Sequence, residues 1–393
     1  MGDNTVKEPV ITLSAGPVAA YPQVLLGMAR PVHYDYDAYF QGFYEQVARK
    51  TAKALRIQDP ALILHCEPAV GLEAAAASLI GPDDVVLNLA SGVYGKGFGY
   101  WAARYHKEMV EIEVPFNESI DPGSVAEAFH KRPDIKVVSV VHHDTPSGTI
   151  NPVEEIGEIV RRHDALLLVD AVSSFGGMDI HPEDCKADVF VTGPGKCLGG
   201  APGLTIMAVN ERAWRHIAAN PKAPTASVLS LGDWKSAWKR EEAFPFTPSV
   251  AEVNGLDAVM DQYFAEGPAR VWRRHALTAA ACRAGVKAMG LELWAAREEI
   301  ASPTTTAIRV PAGLSDEDIL AAAREAYGVV FSAGRGDTKG KLLRIGHMGP
   351  VAEPIYAVVA VTALGGALRR LGRACDVGTA VEAAMGVLAA ARP

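Results

Sequence analysis

The sequence predicts an α/β fold: a largely parallel seven-stranded sheet, followed by a smaller α+β unit. Two observations lead there. Seven short apolar runs rich in β-branched residues alternate with amphipathic stretches between residues 61 and 209, and the pattern changes after about residue 265. Apolar strands separated by helices belong to parallel sheets covered on both faces. A chain of 393 residues also exceeds one simple core, so a large and a small domain are expected, spanning 20–265 and 1–19 with 266–393 respectively.

The expected strands of the large sheet are 61–65, 85–89, 109–114, 136–141, 165–169, 187–191 and 204–209. Helical periodicity fills 70–80, 122–131 and 153–163. Beyond residue 265, a long helix is expected over 268–289, then strands at 304–310, 329–331 and 342–346. Two helical tails follow at 355–370 and 377–391. The segment around Leu13–Pro17 is expected to join the smaller unit. No internal repeat or low-complexity tract interrupts this order.

Composition excludes several function classes. The formal net charge is -8 with no basic run, so nucleic acid and anionic membrane surfaces are not expected partners. Apolar stretches are broken by charge or glycine well before membrane-spanning length, and the polar start has no signal-peptide character. The five cysteines form no C-x-x-C pair and no zinc-ligand spacing. A reducing cytoplasm is the expected compartment, and no metal is expected.

In an open parallel sheet, ligands sit at the carboxyl ends of the strands. One apolar run there is followed by Asp170, an acid that either caps the next helix or faces a cationic ligand group. The neighbouring run leads into Thr192-Gly-Pro-Gly-Lys196-Cys-Leu-Gly-Gly-Ala-Pro-Gly203. Bare backbone lets a flat ligand lie close, and lysine is the side chain that condenses with an aldehyde. The pair suits pyridoxal chemistry, with an imine-forming amine at one end of a pyridine ring and a carboxylate at its nitrogen. A nucleotide does not suit it. Phe190 stands where a P-loop needs glycine, Cys197 where it needs Ser or Thr, and Tyr100 breaks the spacing begun by Gly95 and Gly97.

Taken together, Asp170-Ala-Val-Ser-Ser, Gly-Pro-Gly-Lys196 with Ala-Pro-Gly behind it, Arg344-Ile-Gly-His-Met-Gly and Leu13-Ser-Ala-Gly-Pro17 resemble class V aminotransferases of fold type I. The resemblance runs over essentially the whole chain, in order. It implies that Lys196 carries the imine and moves the proton, and that Asp170 pairs with the ring nitrogen. It further implies that Tyr94 stacks on the ring, Thr145 bonds near the ring oxygen, and Arg344 holds a substrate carboxylate. Arg335 is a second basic candidate at the mouth. Blander readings stand beside these: Tyr94 as a core aromatic, Thr145 as a turn residue before Pro146, Arg335 as a solvated charge. His142, His143 and His347 read as structural, because lysine already supplies the acid–base group.

Relatives usually seat a phosphate in a Gly/Ser/Thr loop that opens a helix. Here the equivalent segment is Cys66-Glu67-Pro68-Ala69-Val70-Gly71, without a hydroxyl and with one amide lost to proline. A carboxylate at about 4 Å would repel a phosphate by about 4 kcal/mol per unit charge at an effective dielectric of about 20. Glu67 suits the 5′-hydroxyl of unphosphorylated pyridoxal instead; its blander reading is a helix cap. Gly195 offers no side-chain amide, and Phe244 lacks the hydroxyl that relatives often present across a subunit boundary.

The expectation is therefore a transaminase that takes pyridoxamine and pyruvate to pyridoxal and L-alanine, in vitamin B6 breakdown. The vitamer is its substrate, bound covalently at Lys196, and no dissociable cofactor is expected. The alternative is an enzyme dependent on pyridoxal 5′-phosphate (PLP) that acts as an alanine–glyoxylate or serine–pyruvate aminotransferase. The 244–248 segment resembles a cross-subunit loop, so a homodimer or homotetramer is expected.

Overall fold

The computed structural model describes Glu8, residues 10–239 and residues 244–391. The seven expected strands form one sheet: β1 (Leu62–Leu64), β2 (Val85–Ala90), β3 (Glu108–Glu113), β4 (Ile135–Val141), β5 (Leu166–Asp170), β6 (Val189–Thr192) and β7 (Thr205–Val209). Their spatial order is β1-β7-β6-β5-β4-β2-β3, and only β7 runs antiparallel to its neighbours. β4 and β5 are almost wholly apolar and buried on both faces, as a sheet sandwiched between helix layers requires.

Two helices following sheet strands position the site, α1 (Pro68–Leu79) and α2 (Val93–Ala102). α1 begins two residues earlier than its periodicity suggests. Proline suits the first helical position, where an N–H would have no partner, and Glu67 supplies the cap. The glycine-rich run after β2, to which the sequence reading assigns no element, becomes α2. Its glycines permit close packing: a Cβ on Gly95 would lie 2.9 Å from the Leu89 carbonyl oxygen.

The sequence reading leaves several helices unassigned, among them Ala38–Leu55, Val250–Glu266 and Asp316–Tyr327. The first is capped by Asp37, which accepts from the Tyr39 amide, and it buries Phe40, Tyr44, Val47 and Leu55. Its buried stripe mixes aromatic and small residues with Thr51, which blurs the apolar signal. The 165–169 strand is displaced by one residue, so Asp170 is the last residue of β5 itself.

A second core gathers Leu13, Ile308, Leu343, Ile345, Val361 and Leu364. It lies under an antiparallel three-stranded sheet, β8 (Thr305–Arg309), β10 (Leu342–Gly346) and β9 (Ser332–Ala333), and is covered by Ile355–Arg370 and Val377–Ala390. The N-terminal Ile11–Thr12 pairs in parallel with Val329–Val330. The chain then continues beside β10, where Gly346 N donates to Leu13 O at 2.8 Å. Ala15 N donates to Ser332 Oγ at 3.1 Å. No helix among the described residues is long and apolar enough to cross a membrane.

Candidate active site

The carboxyl ends of β2, β4, β5 and β6 deliver Ser91-Gly92, His142-His143-Asp144-Thr145, Asp170 and the Gly193–Lys196 turn to one edge of the sheet. Two overlapping cavities open there. One of about 280 Å³ is bounded by Gly16, Glu67, Tyr94, Val172, Lys196 and Arg335. The other, of about 560 Å³, shares Glu67, Tyr94, Lys196 and Arg335 and adds Asp170, Ser173, Tyr100 and Trp101. Five of the seven sequence candidates therefore meet around one space.

Lys196 Nζ donates to the Ala15 carbonyl at 3.1 Å. Gly16, at φ +116°, makes room for it, since a Cβ there would fall 2.1 Å from Nζ. Burial, reinforced by the Arg344 cation, pulls the Lys196 ammonium down to about 8. About a tenth is therefore free amine at pH 7, far more than for a lysine in water. The Cys197 thiol beside it is pushed up to about 12 by burial, so it stays protonated.

Asp170 is buried at the end of β5. One of its oxygens accepts from Val172 N at 2.9 Å, but the segment that follows is a turn and not a helix, so there is no helix for Asp170 to cap. Burial pushes its carboxyl up to about 7, against the Val172 N–H and with the help of the Asp144 carboxylate. No side-chain cation bonds it among the described residues. A buried carboxylate without a counter-ion gains most from a cationic ring nitrogen placed against it.

Glu67 Oε2 accepts from Ala69 N at 2.8 Å, so the residue caps α1. It also borders both cavities. Capping and facing the ligand are thus one geometry, because the anion-binding end of α1 is already filled by the protein's own carboxylate. Tyr94 is 38 % exposed and borders both cavities, which sets aside its reading as a core aromatic.

Thr145 and Arg344 lie behind the cavity wall. Thr145 is fully buried, and its hydroxyl shares a 2.9 Å hydrogen bond with Ser173 Oγ. Arg344 donates through Nε and Nη2 to Ala333 O at 3.0 and 2.7 Å, and through Nη1 to Thr145 O at 3.2 Å. A guanidinium has five N–H donors, so two remain for a ligand among the described residues. Burial draws Arg344 down to about 10, which still leaves it cationic. Arg335 is exposed and its backbone anchors the turn Gly336–Thr338.

Of the three histidines, His143 and His347 are held by buried hydrogen bonds, whereas His142 Nδ1 is buried with no partner among the described residues. His143 Nδ1 lies 3.0 Å from both Ser173 O and Thr304 Oγ1. His347 Nε2 lies 2.8 Å from Thr306 Oγ1. Burial depresses both far below the usual histidine range. Phe244 turns into its own subunit, 5.0 Å centroid to centroid from Tyr44, while Phe246 and Thr247 are exposed. Sequence reasoning missed Ser173, the Ala15 carbonyl and Asp144. The adjacent serine in Asp170-Ala-Val-Ser-Ser was a usable signal for the first.

With a buried amine, a buried lone carboxylate and a bounding aromatic around one cavity, the comparison with known proteins is decisive. Residues 29–347 match the family described as aminotransferase class-V. The chain belongs to the class V aminotransferases. It is 64% identical over 381 residues to pyridoxamine–pyruvate transaminase of Mesorhizobium japonicum, covering 97% of each chain. The crystal structure of pyridoxamine–pyruvate aminotransferase from Mesorhizobium loti superposes with a TM-score of 0.97 at 63% identity, over 98% of both chains. Ureidoglycine–glyoxylate aminotransferase from Bacillus subtilis superposes with a TM-score of 0.92 at 28% identity, over 98% of this chain and 100% of that one.

This class V aminotransferase has the fold type I architecture, and membership implies pyridoxal chemistry. The side chains fit the ring of such a group at Lys196 and Asp170. They do not fit its phosphate, because the helix end that would receive it holds Glu67 and begins with Pro68, which has no N–H.

Proposed function

We propose that this aminotransferase transfers the amino group of pyridoxamine to pyruvate, giving pyridoxal and L-alanine, with the vitamer as substrate bound covalently at Lys196. The observation that carries the proposal is the Glu67 carboxylate capping α1 at the cavity. Identity of 64% to a transaminase of that name supports it. Pyridoxal, when bound, supplies a conjugated ring that takes up the electron pair released when a C–H proton leaves the amine carbon.

The chain's own residues do the rest. Lys196, with its amine drawn down to about 8, exchanges a proton at the carbon bearing nitrogen and also receives the aldehyde. Asp170 holds the ring nitrogen protonated. Tyr94 covers the ring face, and Thr145 with its partner Ser173 faces the ring oxygen. The two remaining N–H groups of Arg344 bind the pyruvate carboxylate, with Arg335 at the mouth. Glu67 accepts from the 5′-hydroxyl through the oxygen that does not cap α1. The exposed Phe246 and Thr247 suit a partner subunit, so a homodimer or homotetramer is proposed. Five free cysteines among the described residues suit a cytoplasmic role in vitamin B6 degradation.

The deciding experiment is Glu67→Ser. Pyridoxamine turnover should fall at least about tenfold, and pyridoxal 5′-phosphate should bind the apoprotein on the order of a hundredfold more tightly, about two-thirds of the 4 kcal/mol repulsion being recovered. Equal vitamer preference before and after the change would overturn the proposal in favour of a conventional phosphate-dependent enzyme.

A second expectation concerns pH. The rate of imine formation between apoprotein and pyridoxal follows the free-amine fraction of Lys196. It should rise about tenfold per unit at low pH and level off above about 8. Stopped-flow absorbance across pH 6–10.5 tests this. A rate still climbing at pH 10 would place Lys196 in water, contrary to its burial.

A further inference from the structure

The helix that carries Tyr94 has no cap of its own. The residue at its N-cap, Gly92, has no side chain, so the first-turn amides of α2 find no acceptor nearby in sequence. They find one 50 residues away. Asp144 Oδ2 accepts from Tyr94 N at 2.8 Å and from Gly95 N at 3.1 Å. These are the second and third residues of α2, the amides that an ordinary N-cap side chain would satisfy.

The fit is built from both sides. Asp144 is fully buried and sits in the short ladder His143–Asp144 with Thr149–Ile150. The turn behind it is closed by Ser147 N and Gly148 N donating to the Asp144 carbonyl at 3.1 and 2.8 Å. On the other side, a Cβ on Gly92 would lie 2.2 Å from the Asp144 carboxyl carbon. Only glycine admits the carboxylate there. Burial pushes the Asp144 carboxyl up to about 6, against the Gly95 and Tyr94 N–H groups, so the anion is the major form at neutral pH. An anion suits a helix N-terminus. Its other oxygen, Oδ1, is buried with no hydrogen-bond partner among the described residues.

We infer that Asp144 is the positioning residue for Tyr94: its carboxylate caps α2 from a distant strand end and so holds the Tyr94 ring at the wall of the cavity that Lys196 enters. The inference rests on the reading of Tyr94 as the cover of the ring face. Asp144 itself lines neither cavity. It acts through the backbone amide of the residue that does.

A double-mutant cycle tests it, read as the dissociation constant of pyridoxal from imine absorbance of the purified full-length protein, with folding followed by circular dichroism. Tyr94→Ala is expected to weaken binding about tenfold, the scale of one lost aromatic contact. Asp144→Ala is expected to weaken it about fivefold when Tyr94 is present and less than twofold in the Tyr94→Ala background, because the two changes remove one interaction. Asp144→Asn keeps an oxygen for both amides and should restore binding to within about twofold of the unaltered protein. Equal losses from Asp144→Ala with and without Tyr94 would overturn the inference alone. Unchanged binding in Tyr94→Ala would instead remove the ring-contact reading on which it rests. Should Asp144→Ala not fold, Asp144→Ser carries the same cycle, with the same non-additivity expected and the same additivity fatal.

Discussion

Lys196→Ala is expected to lower kcat/KM for pyridoxamine with pyruvate by about 10⁴-fold, the upper end of what one positioned acid–base group supplies. The environment of Lys196 explains why so much is concentrated there. Its amine is drawn down to about 8 and is held at 3.1 Å by a carbonyl rather than by a carboxylate. A carboxylate partner would have stabilised the ammonium and blocked the chemistry. Among the described residues no other amine borders either cavity; the basic groups nearby are the guanidiniums of Arg335 and Arg344. The variant should show no imine absorbance with pyridoxal, yet bind pyridoxamine within about tenfold of normal, since that complex needs no new covalent bond. Added methylamine should recover part of the rate. Retention of more than a tenth of the activity would end the assignment.

Asp170→Ala is expected to reduce kcat about 10²–10⁴-fold. Removing one partner of a buried ion pair costs about 3–5 kcal/mol, and each 1.36 kcal/mol in the barrier is a factor of ten. The sign of the pH effect follows from the burial of Asp170. Alone, its carboxyl is pushed up to about 7; a ring cation beside it stabilises the carboxylate and lowers that value. Pyridoxamine binding is therefore expected to displace a proton from Asp170, or share it with the ring, so the affinity gained through Asp170 should be full above about pH 7 and fall as the pH drops below it. Pyridoxamine methylated at the ring nitrogen carries a fixed positive charge. It should be turned over by Asp170→Ala at more than about tenfold the rate seen with the normal substrate, because the charge no longer depends on the carboxylate. If both substrates lose activity equally, Asp170 does not act through the ring nitrogen.

Much of this site was legible in the sequence because its chemistry is rare. A lysine among bare glycines and an acid at the end of an apolar run have few other uses, and both lie where a parallel sheet presents its ligands. Glu67 was legible as a misfit, a carboxylate where an anion-binding loop belongs. The strands were found within one or two residues, since nearly continuous apolar runs are hard to place elsewhere. What escaped was set by contacts distant in sequence. The Ala15 carbonyl meets Lys196 across 181 positions, and Arg344 meets the Thr145 carbonyl across 199. Nothing local marks Asp144 as the cap of α2, which lies 50 positions away. The helix Ala38–Leu55 escaped for a different reason, its buried face being built from tyrosine, threonine and alanine as much as from aliphatic residues.

The contact between Ala15 and Lys196 has a consequence for how the chain is made. The segment bearing Ala15 is synthesised more than 300 residues before its neighbours, Val329–Val330, Ser332 and Gly346. On a ribosome it must therefore wait, without these partners, until residues 329–346 have emerged, even though domains generally fold as units from the N-terminus as they appear. The sheet and the glycine-rich turn bearing Lys196 can already be in place by then, with the amine lacking its acceptor. The residues around Ala15 thus dock long after they are made, and the lysine gains its carbonyl partner only once the small sheet has formed.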